Sequence, residues 1–188
     1  MSWADRAESC MGWNERDDEQ LASLREWLAP EKDELVGVLV ERMTQLDGVP
    51  RLLRNGRLTG RLRALVEEWL LGLLAPAYDD AERQERRRDL GRRLARLDVR
   101  FEEVTLLEAM AHGQLLALTR KNLDGGADQL SLMLGALQKA LSYDRGLVHA
   151  GYVEFRDSEM EQALLDRFLS ITGFSPSLYE GLAETWEQ

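Results

Sequence analysis

Between Glu85 and Val104 the chain reads ERRRDLGRRLARLDVRFEEV. Leu90, Leu94 and Leu97 fall at i, i+4 and i+7, so on a helix they share one face, and arginines cover most of the rest. A leucine stripe hemmed in by charge is stable only if it looks into a protein core, and Leu94 sits at its centre. The stretch therefore predicts one helix, a short turn after it, and the start of the next helix. The remaining chain has to supply the opposing apolar faces.

It supplies them as helices. Leu, Ala, Arg and Glu dominate, prolines number four, and runs of β-branched residues are nearly missing. This is an all-α composition. With 188 residues and 44% hydrophobic content the chain suits one domain with a real core. Residues 1–16 read as a loose arm anchored by Trp3 and Trp13. A first full helix carries Leu21, Leu24, Trp27 and Leu28, capped by Asp17 or Asp18 and stopped before Pro30. A second spans about 31–45. After a turn at Asp47–Pro50, Leu52 and Leu53 start a short helix that ends at Asn55-Gly56. Leu58, Leu62, Leu65, Trp69 and Leu73 then make one stripe over 57–74. The helix over about 101–122 is apolar on two sides. Val104, Leu107, Leu115 and Leu118 lie on one, Leu106 and Met110 on the other. From Asp128 a long helix runs to at least Arg156, with Leu130, Leu134, Leu137 and Leu141 in near-heptad spacing and Asp144 or Arg145 interrupting it. Residues 17–156 form the domain. Residues 157–188 form a helical tail or a linker to an output module, with a separate helical piece around Met160–Phe168.

Arg87, Leu90, Gly91, Arg96 and Leu97 stand in an order that resembles the proximal-helix motif of the protoglobins and globin-coupled sensors, Arg-x-x-Ile-Gly-x-x-His-x-Arg-Ile. Trp69, Gly72 and Tyr78-Asp79 are similar to the end of the family's helix E, and DDEQLASLREWLAP followed by DELVGVLVERM is similar to its entry helices. The likeness runs from about residue 17 to 156. It implies an all-α, globin-like sensor fold with an N-terminal pre-helix and an extended C-terminal helix. The position of the family's haem-ligating histidine is Leu94, and that of its distal tyrosine is Val40 beside Leu39. The family's proline and Trp-Tyr pair after the proximal helix are replaced by RFEEV. The resemblance thus implies the minority that has lost haem, including the amino-terminal domains of stressosome regulators. Its pocket would be lined by Leu39, Trp69, Leu90, Leu97 and Val104, with no cofactor.

The residue chemistry leads the same way. Haem iron needs an axial His, Cys, Met or Tyr, and Leu94 is none of these. Two histidines exist, His112 and His149. Glu108 with His112 makes half a metal site, and no spacing completes it, so no metal is expected. There is no Gly-rich phosphate loop and no Ser-His-Asp or Cys-His arrangement, and the adjacent pairs Asp79-Asp80 and Glu102-Glu103 point apart on a helix. No enzyme activity is expected. Cys10 is the single cysteine, which excludes an internal disulfide. A net charge of -10 argues against nucleic-acid binding. Residues 51–100 hold 13 arginines against 8 acids, but no aromatic residues alternate with them as a stacking platform requires. Mean hydropathy is -0.38, with no membrane-length apolar run and no signal-like start, so a cytoplasmic protein is expected.

The expectation is a non-haem globin-like sensory or regulatory domain of bacterial-type signalling, acting through helix packing. It would form a homodimer with Leu130, Leu134, Leu137 and Leu141 in the seam, with room for an apolar small ligand and a downstream partner. Two alternatives stand beside it: a haem-binding gas sensor with an unusual ligand such as His112 or Met43, and a plain helical adaptor.

Overall fold

The computed structural model describes residues 3–47, 49, 56–75 and 81–173, with backbone alone at 4, 5 and 56–58. Seven helices are formed among the described residues: α1 (Trp3–Met11), α2 (Glu15–Leu28), α3 (Lys32–Thr44), α4 (Gly56–Leu73), α5 (Ala81–Arg96), α6 (Phe101–Asn122) and α7 (Ala127–Thr172). None is long and apolar enough to cross a membrane. The short helix expected at Leu52 and Leu53, the side chain of Leu58 and the pairs Tyr78-Asp79 and Asp79-Asp80 lie outside the described residues.

Residues 3–16, expected as part of a loose arm, are ordered against the domain. Trp3–Met11 is helical. The rings of Trp3 and Trp13 pack against Tyr143 of α7, at centroid distances of 5.5 and 6.5 Å. The two tryptophans are anchors, as expected of them. The cap of α2 is Asn14, three residues earlier than Asp17. The Asn14 side chain accepts from the Arg16 N–H at 3.0 Å, and Asp17 reaches back to the Asn14 N–H at 2.9 Å. Asp17 also takes an ion pair from Lys139 of α7 at 2.8 Å.

One continuous cluster of buried residues joins α2, α3, α4, α5, α6 and α7. Its tightest crossing is α5 on α7. A Cβ on Gly91 would run into the Val148 carbonyl oxygen, and one on Gly151 into the Arg88 carbonyl oxygen. Only glycine at both places lets the two backbones meet. This gives the Gly91 of the motif a mechanical meaning.

Helix α7 is one unbroken element of 46 residues. The separate piece expected around Met160–Phe168 is its continuation. Gly151 is its last buried residue, and beyond it Val153, Met160, Leu164, Phe168 and Ile171 are exposed.

Candidate functional site

The core-facing stripe of α5 lies where its spacing placed it. Leu90 and Leu94 are 0% and 5% exposed, and Leu97 is half-buried. Leu39 and Val40 of α3, Trp69 of α4 and Val104 of α6 are buried in the same core cluster as Leu90 and Leu94. The sequence candidates Leu39, Val40, Trp69, Leu90, Leu94 and Val104 are all core residues, and Leu97 is packed against that core.

Arginines do not simply coat the other side of α5. Arg83 and Arg87 are buried. Arg83 Nη2 donates to the Gly72 carbonyl oxygen at 2.6 Å. The Arg87 guanidinium donates from Nε to Asp144 Oδ1 at 2.5 Å and from Nη2 to Asp144 Oδ2 at 2.8 Å. Trp69 Nε1 donates to the same Oδ2 at 2.8 Å, and Arg87 Nη2 also reaches the Trp69 carbonyl oxygen at 3.2 Å. One carboxylate of α7 thus ties α4 and α5 together in the interior. A buried charge is tolerated only when paired and hydrogen-bonded in this way. By spacing alone Asp144 or Arg145 only interrupts a leucine seam. An acid in an apolar seam is itself the signal, since such a residue is almost never buried without a partner.

A second charged contact lies nearby. Glu108 of α6 is 2% exposed, and Arg145 Nε donates to its Oε2 at 2.5 Å, while its Oε1 makes no hydrogen bond. Burial pushes the Glu108 carboxyl up to about 6, against the opposing pull of Arg145. His112, one turn on, is half-buried. His149 is exposed, with its ring 4.6 Å from that of Phe101. No group of three or more His, Cys, Asp or Glu suited to a metal ion occurs among the described residues.

A hollow of about 330 Å³ opens between α4 and α5. Leu65, Ala64 and Leu97 give it an apolar wall, and Arg61, Glu68, Arg93 and Arg96 surround them. Leu94, Val40, Trp69 and Val104 do not line it.

The dimer candidates divide. Leu137 and Leu141 are 0% and 4% exposed within their own chain, so they cannot also face a second copy. Leu130 and Leu134 are half-buried. Besides the exposed residues of α7 beyond Gly151, Leu106 of α6 and Leu132 of α7 are open, each 47% exposed, and Met110 of α6 is half-buried. The second apolar side expected for α6 is thus present and uncovered at Leu106.

The arrangement of α3 to α7 around α5 has a counterpart among known families. The sequence matches the Protoglobin family over residues 4–158, which includes most of α1 and the domain through Ser158. The chain belongs to the Protoglobin family. Among solved structures, this protoglobin is similar to the globin domain of a Geobacter sulfurreducens globin-coupled sensor, with a TM-score of 0.70 and 16% identity. The likeness covers 79% of this chain and 96% of that one. At that identity it shows the fold, all-α and globin-like. No match is found among curated proteins. The fold and the family were legible in the motif of α5, whereas the Arg87–Asp144–Trp69 cluster of this protoglobin was not.

Proposed function

We propose that this protoglobin is a sensory or regulatory domain that works without haem, through helix packing and the geometry of a homodimer, in a bacterial-type signalling protein. The observation that carries the reading is Leu94. Iron needs a lone pair from the proximal helix, and leucine has none. Leu94 belongs to the core cluster that also holds Leu90, Trp69 and Val104, so its side chain serves as packing where the family motif has a ligand. Val40 likewise offers no hydrogen bond on the distal side. The residues of this chain do not fit haem held from α5. Of the other donors, Met43 is fully buried in the core of α3, and His112 lies one turn from the carboxylate of Glu108.

Signalling by packing rather than by catalysis has support in the α5–α7 crossing. Gly91 and Gly151 hold these helices in direct backbone contact, so a change at α5 must be felt by α7. Helix α7 then runs 21 residues past Gly151 to Thr172. Leu106 of α6 and Leu132 of α7 are open to a second copy as the partner. Packed interfaces have discrete arrangements, so small helix shifts become a change of dimer geometry.

Haemin titration tests the reading. The purified protein should show no Soret band and gain none at one equivalent of haemin. A stoichiometric band lost in a His112→Ala or Met43→Leu variant overturns it.

A further inference from the structure

We propose that the hollow between α4 and α5 is a binding site for a small amphipathic carboxylate, an alkyl chain with one anionic head. This deepens the non-haem reading and rests on it. The inner wall of the hollow is made by Leu65, Ala64 and Leu97, and is overwhelmingly apolar. Its volume of about 330 Å³ lies at the lower end of the range that small-ligand sites occupy. An apolar body is therefore the part of a ligand that this wall recognises.

The charges at the mouth decide the head group. Arg93 is already committed, in a two-point contact with Glu68 across the hollow and an ion pair with Asp89 at 2.9 Å. That contact bridges α4 to α5 and neutralises the one acid at the rim. Arg61 and Arg96 are different. Neither has a carboxylate partner among the described residues, although the chain carries 34 acids against 24 bases. Two guanidiniums without a carboxylate partner among the described residues, beside an apolar hollow, are complementary to an anion. Arg96 is also held in place. Its guanidinium carbon lies 5.3 Å from the centroid of the Phe155 ring of α7, which leaves the edge of the fork free to donate. A carboxylate between Arg61 and Arg96, with its chain over Leu65 and Leu97, satisfies both halves of the site. Occupation would touch α4 and α5 directly, and α7 through Arg96 and Phe155.

Calorimetric titration of the full chain with decanoate, with decanol as the neutral control, tests the proposal. Haemin is titrated into a separate sample. Decanoate should bind saturably at one per chain, and decanol at least tenfold more weakly. Ala64→Phe, at an exposed position that lines the hollow, should abolish binding. The Arg61→Gln/Arg96→Gln double variant should weaken decanoate at least tenfold and leave decanol unchanged. Circular dichroism checks the fold of each variant first, and Ala64→Phe keeps the test decisive if the double variant misfolds. Equal affinity for decanol and decanoate overturns the anionic head. Undiminished binding to Ala64→Phe overturns the site. A Soret band with haemin overturns the non-haem reading by itself. Absence of both a Soret band and decanoate binding removes this site and leaves that reading standing.

Discussion

The guanidinium of Arg87 on α5 and the carboxylate of Asp144 on α7 meet at two points, 2.5 and 2.8 Å apart, with both side chains at most 5% exposed. The pair lies 57 residues apart in sequence and closes the interior of the fold. Trp69 adds a third bond to the same carboxylate, so α4, α5 and α7 share one polar joint inside an otherwise apolar core.

Removing one partner strands the other. Asp144→Asn should destabilise the protein by about 3–5 kcal/mol in urea unfolding, because Arg87 stays charged and buried. Replacing both, as Arg87→Met with Asp144→Leu, should recover a large part of that loss. A single-variant loss below about 1 kcal/mol would mean that water reaches the pair.

Leu94 is a core residue, and its truncation should behave as one. Leu94→Ala should lower stability by about 2–5 kcal/mol, the transfer and cavity penalty of a buried leucine. A change below about 0.5 kcal/mol in chemical unfolding would place Leu94 outside the core.

Glu108 gives the stability a pH dependence of definite sign. Its folded value of about 6 lies above its ordinary value of 4.5. Between those two pH values the folded protein keeps a proton that the unfolded chain has released. Stability from this group is full below 4.5, falls as pH rises to about 6, and is flat above, an effect of at most about 2 kcal/mol. Glu108→Gln should remove that fall, so the variant should gain on the parent as pH rises through the window. Parallel melting curves for the two proteins from pH 4.5 to 6.5 would show that Glu108 does not titrate there.

Leu106 of α6 and Leu132 of α7, both open, predict a dimer in light scattering. Leu106→Glu with Leu132→Glu should give monomers that keep their helicity, since both residues are exposed within one chain. Leu141→Glu should instead unfold the chain, because Leu141 faces its own core. A parent protein that is monomeric at high micromolar concentration would sink the dimer and the signalling route built on it.

What the sequence made legible was local. The α5 stripe needs only a 3.6-residue period, and α3 runs from Lys32 to Thr44 where 31–45 was read. The family motif added the globin-like arrangement. Helix α1 escaped because its apolar stripe, Trp3, Ala7 and Met11, is only two turns long, too short to be told from a loose segment until it packs on α7 through Trp3 and Tyr143. The α7 leucines misled for a geometric reason. Spacing alone does not say whose core a seam faces: Leu137 and Leu141 are buried in the chain's own core, whereas Leu130 and Leu134, nearer the start of α7, are half-buried. The Arg87–Asp144 pair follows from no spacing rule, since only the closed fold brings its halves together.

Helix α7, at 1.5 Å per residue, is a rod about 69 Å long that is gripped at Gly151 and leaves about 32 Å beyond that grip. Such a rod multiplies angle into distance. A tilt of roughly five degrees at the glycine crossing, small enough to be absorbed by side-chain repacking, would carry Thr172 sideways by about 3 Å.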